Sequence, residues 1–412
     1  TAALSEFDWF VQRAPKRHRG HSFVRRLLEG CAPPAKHWHP PVYRRTRDGR
    51  IVSEEPEPWS HNEVFVIGGA PRSEQARTPF ADVCAFAAAY KRRTSWTSGG
   101  FEYDHFQSIL RHSLGTRPAL PMHLSAVACR RDHDNRVIAV GGWTGEEATG
   151  LNLCYDLDAE GRVSTQSTPP VATAEWVPRA ELAMPRCYHA LAIFGDNHPL
   201  AIGGGDSVWQ GANVLNACEL FREGFQKSLN SNPSSDDDEW VAMPSLRAAR
   251  CGGRAVTTAD GAIVVVGGYG GGLAYHRSAE IFHEGSTDWQ PLPDMRVART
   301  GLGLCYGADK AVYAIGGSPE GSSSLQSVER FDPREGQWHQ VSSLCMPRAY
   351  FDAAIAPSGL IYAVGGLHET SRHGGVMEVF DTRKIDLPWC SIQCDPACHP
   401  LGGVDQSVVY IL

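Results

Sequence analysis

Short apolar runs, each closed by two glycines, recur along the chain. They read VFVIGG (Gly68, Gly69), VIAVGG (Gly141, Gly142), PLAIGG (Gly203, Gly204), IVVVGG (Gly267, Gly268), VYAIGG (Gly316, Gly317) and IYAVGG (Gly365, Gly366). Runs this short, rich in Val and Ile and bounded by Gly, Asn and Asp, predict strands. A second pattern is stricter. Trp9, Trp176, Trp240, Trp289 and Trp338 each stand ten residues before an arginine, at Arg19, Arg186, Arg250, Arg299 and Arg348, while Trp389 has His399 in that slot. Lys and Arg together make up 39 of 412 residues, so chance would fill one such slot with Arg less than one time in ten. From Arg186, Arg250, Arg299 and Arg348 to the next glycine of a pair is seventeen residues in every case. Between glycine pair and Trp lies a third element, Glu-x-Phe, at Glu219/Phe221, Glu280/Phe282, Glu329/Phe331 and Glu378/Phe380, and Tyr155 fills the aromatic slot once more.

Each unit therefore predicts four strands. Strand A opens at the arginine and is apolar and small, strand B ends in Gly-Gly, strand C carries Glu-x-aromatic, and strand D begins near Trp. One helix is expected, over Asp82–Arg93 (DVCAFAAAYKRR), between repeats. A single four-stranded sheet cannot bury both its faces, whereas copies stacked radially about an axis bury them all and protect their edges.

Apolar run, Gly-Gly, aromatic and then Trp, in units of roughly fifty residues, resembles the kelch repeat. The resemblance spans about Trp9 to Leu412 and implies one all-β kelch β-propeller domain over residues 1–412. The strand A openings at Arg19, His123, Arg186, Arg250, Arg299, Arg348 and His399 imply seven blades of four antiparallel strands, with six as the alternative. The seventh would be split: CHPLGGV and SVVYIL supply strands A and B, DWFVQ strand D and ALSEF strand C. Insertions are expected at about 28–62, 70–121 and 223–239, with SGGFEYDHF as strand C of the first unit.

The glycines are read as structural, giving φ > 0 at a sharp turn and no Cβ to crowd the neighbouring blade. GGYGGG at Gly267–Gly272 has no following helix or Lys-Ser/Thr and is not read as a phosphate loop. The tryptophans fill the wedge between widening blades, and the repeated Glu meets a neighbouring backbone or Arg. Two readings of Arg186, Arg250, Arg299 and Arg348 stay open. In one, each satisfies carbonyls or a Glu within the ring. In the other they surround one mouth of the channel with Trp143, Asp206, Trp209, Tyr269, Glu320 and His368, and capture an acidic peptide, as Arg forks and aromatic anchors do.

A net charge of -7 offers no global basic field for nucleic acid, and no run of eighteen apolar residues predicts a membrane helix. Only the cluster Arg13–Arg26 (RAPKRHRGHSFVRR) invites RNA or an acidic neighbour. The 12 cysteines lie mostly inside apolar runs, which suits buried thiols in a reducing compartment. Cys390, Cys394, Cys398 and His399 form the one metal candidate; their four-residue spacing is wider than zinc sites prefer, and no metal or cofactor is expected. His189 is read as a packed strand histidine. The functional expectation is a non-catalytic, cytoplasmic or cytoskeletal interaction scaffold, organellar if a targeting segment has been removed, working as subunit or adaptor of a larger assembly. Its protein partners would meet the loop faces and inserts. The alternative is a propeller enzyme of the galactose-oxidase, lyase or specifier kind.

Overall fold

The computed structural model describes residues 119–157, 175–207, 212–223, 238–272, 274–366 and 376–393, with the strands 42–45, 51–54, 60–67, 83–96, 102–117 and 407–411. Two compact units divide the chain, Thr1–Trp59 and Ser60–Leu412. In the first, Val42–Arg45 and Ile51–Glu54 form an antiparallel hairpin. All the four-stranded sheets lie in the second.

Five blades follow one another, each built from consecutive antiparallel strands. Blade I runs through Ala128–Arg131, Arg136–Val140, Asn152–Asp156 and Val177–Pro178. Blade II uses Ala190–Phe194, His198–Ile202, Cys218–Arg222 and Glu239–Met243. Blade III uses Arg254–Thr257, Ile263–Val266, Ala279–Phe282 and Gln290–Leu292. Blade IV uses Gly303–Tyr306, Val312–Ile315, Val328–Asp332 and Gln337–Val341. Blade V uses Asp352–Ile355, Leu360–Val364, Val376–Asp381 and Cys390–Gln393. A sixth four-stranded sheet takes its first strand, Ser407–Ile411, from the far end of the chain and pairs it with Ser60–Ile67, followed by Val83–Trp96 and Glu102–Arg117. Its first strand lies between the inner strands of blades V and I, and the other inner strands touch in chain order, so the sheets close on themselves.

Among the described residues the consecutive blades therefore number five, where seven, alternatively six, were expected. The first unit and the split blade are not two blades. The B strand VFVI finds its partner A strand in SVVYI, with Val409 opposite Phe65. Among the described residues the C-terminal run supplies this one strand, while CHPLGGV, DWFVQ and ALSEF, with Trp9, Arg19 and His399, fall outside them. The segment expected as a helix is instead the strand Val83–Trp96. It is hydrogen-bonded on both edges, to Ser60–Ile67 and to Glu102–Arg117. Two full ladders outweigh the few tenths of a kcal/mol per residue by which an alanine tract favours helix. Residues 70–121 accordingly hold strands C and D of this sheet, and SGGFEYDHF leads into strand D rather than forming strand C. The segment 223–239 is described only at its ends.

The B strands of blades III, IV and V are buried on both faces, which is why their apolar runs are continuous rather than alternating. Each repeat Trp among the described residues packs on the aromatic residue of strand C. Trp289 is 1% exposed, lies 5.2 Å from the Phe282 ring, and donates its indole N–H to Pro244 O at 2.9 Å in the linker entering its blade. Trp240, Trp338 and Trp389 repeat this with Ala180, Pro293 and Ser342. Tyr155 takes the aromatic slot beside Trp176, at 5.2 Å.

The paired glycines mark where neighbouring blades come closest. Gly267 has φ +68°, and a Cβ there would lie 2.3 Å from the carbonyl oxygen of Arg299 in the next blade. That oxygen accepts the N–H of Gly268 at 2.7 Å. Gly316, at φ +54°, faces the Arg348 carbonyl in the same way, at 2.7 Å. Gly336 also has positive φ, but nothing lies within 4 Å of its Cβ position. Gly336→Ala should therefore cost about 1 kcal/mol for the left-handed backbone alone. Gly267→Ala should cost about 3 kcal/mol or more, because backbone must move. Urea unfolding of the two variants against the parent chain measures the difference, and equal losses would contradict the close-approach explanation.

Candidate functional site

The four repeated arginines are buried, none more than 3% exposed. Each stands in the linker that enters its blade and reaches three parts of that blade. Arg299 Nη1 donates to Gly316 O and Ser327 O, both at 2.7 Å, and Nη2 to Glu329 Oε1 at 2.9 Å. Arg250 repeats this with Gly267, Ser278 and Glu280, and Arg186 with Gly203, Ala217 and Glu219. Arg348 binds Gly365 O at 2.8 Å and Glu378 at 2.9 Å. The second oxygen of each Glu accepts a linker N–H, from Ala183, Arg247, Arg296 and Cys345. Burial pulls Arg186, Arg250 and Arg299 below the ordinary guanidinium value, and the paired carboxylates oppose it. These cations are neutralised inside the ring, so they do not form the basic mouth that the second sequence reading required. Blade I departs from the pattern. Backbone pairing of Ser125 with Trp143 matches that of Cys187 with Gly205, which places Leu124, fully buried, in the arginine slot rather than His123.

Two residues beyond the arginine slot, the backbones of successive blades join in a belt. Tyr188 N–H donates to Ala126 O, Gly252 to Tyr188, Gly301 to Gly252, and Tyr350 to Gly301, at 2.7 to 3.2 Å. All five residues have positive φ, between 51° and 68°, although three carry side chains. Left-handed backbone in a tyrosine is strained and persists only when its surroundings over-determine it; here the belt does so. Tyr188 of blade II and Tyr350 of blade V come from sheets that are not neighbours, yet their rings meet edge to face at 6.3 Å. Tyr269 and Tyr275 pair at 5.1 Å. All four are half-buried, so this mouth is a cluster of partly exposed phenols. Tyr269, expected there, belongs to it. Trp143 is 8% exposed and packs with Ala126 and Cys187 instead of facing out. Asp206 and Glu320 are exposed on the loops that follow glycine pairs. Trp209 and His368 lie outside the described residues.

A charged group that the motifs did not reveal lies on the inner strands. Arg130 of blade I donates to Ala255 O in blade III at 3.2 Å, and Arg254 of blade III to Phe351 O in blade V at 3.4 Å. Asp352 of blade V stands 3.5 Å from Arg254 and 3.9 Å from Arg130. Contacts between blades that are not neighbours can only cross the lumen. The sequence signal was present: Arg and Asp interrupt strands A that are otherwise small and apolar.

His189, one residue past the belt, is 1% exposed, and neither ring nitrogen has a hydrogen-bond partner. Burial first, then Arg186, Arg254 and Arg130, hold it well below the ordinary histidine value, in keeping with a packed histidine. The inner cysteines Cys129, Cys187, Cys251 and Cys305 are buried thiols, and burial pushes Cys218 up to about 12. Cys390 lies on the last strand of blade V, while Cys394, Cys398 and His399 lie outside the described residues.

A neutral His189 makes stability pH-dependent. The unfolded chain takes up a proton near pH 6.5 while the folded chain does not, so stability is complete above that pH and falls below it. The slope reaches about 1.4 kcal/mol per pH unit for each such histidine. His189→Gln should flatten the fall between pH 6.5 and 5 by that amount, read from urea midpoints, with His276, also lowered by burial, keeping its own share. An unchanged slope would show that His189 is protonated when folded.

The Kelch motif model matches residues 250–296 and 308–344, which lie across blades III and IV. The solved structure titled "Structure of YjhT" is similar at 16% identity and a TM-score of 0.47, over 62% of this chain and 77% of that chain. No curated protein matches the chain. The matched repeats, with the same arginine, glycine-pair, Glu-x-aromatic and Trp geometry carried into the blades on either side, make this chain a kelch-repeat β-propeller.

Proposed function

We propose that the chain is a non-catalytic protein-interaction scaffold, a subunit or adaptor of a larger cytoplasmic or cytoskeletal assembly. A kelch propeller supports protein binding in general. The observation that carries the reading further is the tyrosine mouth. Elsewhere the large aromatic residues of the repeat are packed between blades, but Tyr188, Tyr269, Tyr275 and Tyr350 remain half-exposed together, on linkers and on loops after glycine pairs. Tyrosine offers large, rigid contact area with a polar tip, and it is among the residues that dominate binding hot spots. Tyr188 and Tyr350 stand on a backbone fixed by the belt, and Tyr269 and Tyr275 are paired through their backbones, so little is left to order when a partner docks. In this reading the docking surface is on the propeller itself rather than on the insert 70–121, which supplies two strands of a sheet.

Tyr188→Ala and Tyr350→Ala test it cleanly, because alanine keeps the Cβ and therefore the backbone strain while removing the ring. Each should weaken capture of the partner by at least about 2 kcal/mol, roughly thirtyfold, with urea stability changed far less than by Gly267→Ala. Gln340→Ala, on the outer strand of blade IV, should leave capture unchanged. A partner identified by mass spectrometry and retained equally by both tyrosine variants would place the interface elsewhere.

A further inference from the structure

The inner strands of the sheets read ACRR, ALAIF, RAVT, GLCY, DAAI and SVVYI. Their charged residues are Arg130, Arg131, Arg254 and Asp352. Arg131 is occupied at the strand end, donating twice to Asn135 at 3.0 and 2.6 Å. Arg130 and Arg254 enter the lumen and share the single carboxylate of Asp352. They do so loosely, since 3.5 and 3.9 Å are ion-pair distances without a hydrogen bond. The Nε–H of Arg254 is buried and donates to nothing in the protein. Counting from the belt residue of each blade, the positions level with Arg254 and Asp352 are Ala128, Ala190 and Gly303, and those level with Arg130 include Ala192 and Ala354. At the first of these levels the other described residues are Ala or Gly, and at the second Val256 and Cys305 stand beside the two alanines. Among the described residues the nearby titratable groups add no negative charge: His189 is held neutral, and burial keeps the thiol of Cys305 protonated. The side chains of Arg130 and Arg254 are 22% and 14% exposed, so solvent reaches them.

We infer that the lumen is a carboxylate site, in which Arg130 and Arg254 receive a second carboxylate beside Asp352. Two guanidiniums against one carboxylate carry an excess of one positive charge, and an incoming carboxylate would match a planar fork that is only partly hydrogen-bonded. Under the interaction reading, on which the source of the group rests, it is the side chain of an Asp or Glu in a partner segment. The other source is a free small acid.

The full-length chain, titrated calorimetrically at constant ionic strength with glutarate and separately with an acetylated hexaglutamate peptide, tests the site. Saturable binding is expected, weakened at least tenfold in Arg130→Gln and Arg254→Gln and unchanged in Arg131→Gln. Asp352→Asn should tighten binding several-fold, because it removes the competing internal carboxylate; a gain of affinity cannot come from misfolding. Tighter binding of the peptide than of glutarate assigns the site to a partner side chain, and equal binding assigns it to a small acid. No saturable binding by the parent chain, or affinities unchanged across the Arg130, Arg254 and Asp352 variants, overturns the site. Partner capture that depends on Tyr188 and Tyr350 but not on Arg130 or Arg254 leaves the interaction standing and removes the carboxylate from it.

Discussion

The guanidinium of Arg299 holds three separate pieces of chain at once. Its two terminal nitrogens bind the end of strand B at Gly316, the start of strand C at Ser327 and the carboxylate of Glu329, while the other oxygen of that carboxylate takes the N–H of Arg296 in the entering linker. Its own carbonyl meanwhile accepts the N–H of Gly268 in the preceding blade. The same unit recurs at Arg186, Arg250 and Arg348. A buried ion pair is weak evidence of net stabilisation when both partners could be replaced by apolar groups, but removing one partner alone is costly. Its value here is geometric. It fixes the angle at which each linker delivers the chain into the next sheet, and so it fixes the spacing of belt, mouth and inner strands.

From that spacing the rest follows. The belt can run from blade to blade only if equivalent residues arrive at equal heights, and it then holds tyrosines in a conformation they would otherwise avoid. The inner strands, brought level, set Arg130, Arg254 and Asp352 across a common lumen. Pairing of Ser407–Ile411 with Ser60–Ile67 covers the strand edge that consecutive blades would leave open. Polar residues are thus divided by position, with repeated ones holding the blades and the unrepeated Arg130, Arg254 and Asp352 facing the lumen.

Much of this was legible in the sequence because repetition converts a weak local signal into a strong one. Seventeen residues from Arg to glycine is the distance at which Arg186, Arg250, Arg299 and Arg348 bind the carbonyl of that same glycine. The Glu-x-Phe spacing likewise put Glu on the clamp and Phe against Trp. What failed was what does not repeat. The slot in blade I was misplaced by one residue because neither Leu124 nor His123 carries the marker. The closure was misread because pairing between segments nearly 350 residues apart leaves no local trace, and the alanine-rich Val83–Trp96 became a strand through the ladders on both its edges. Arg130, Arg254 and Asp352 were passed over because charge inside an apolar strand looks like noise until the topology brings three strands to one axis.

A double-mutant cycle on Arg299 and Glu329 tests the clamp most directly. Urea unfolding would compare the parent chain with Arg299→Met, Glu329→Gln and the pair. If the clamp organises the ring, each single substitution costs about 3–5 kcal/mol, as expected when a buried charge loses its partner, and the double falls short of their sum by at least about 2 kcal/mol. Single losses below about 0.5 kcal/mol that simply add would contradict the account, and would return Arg299 to the surface role it loses here.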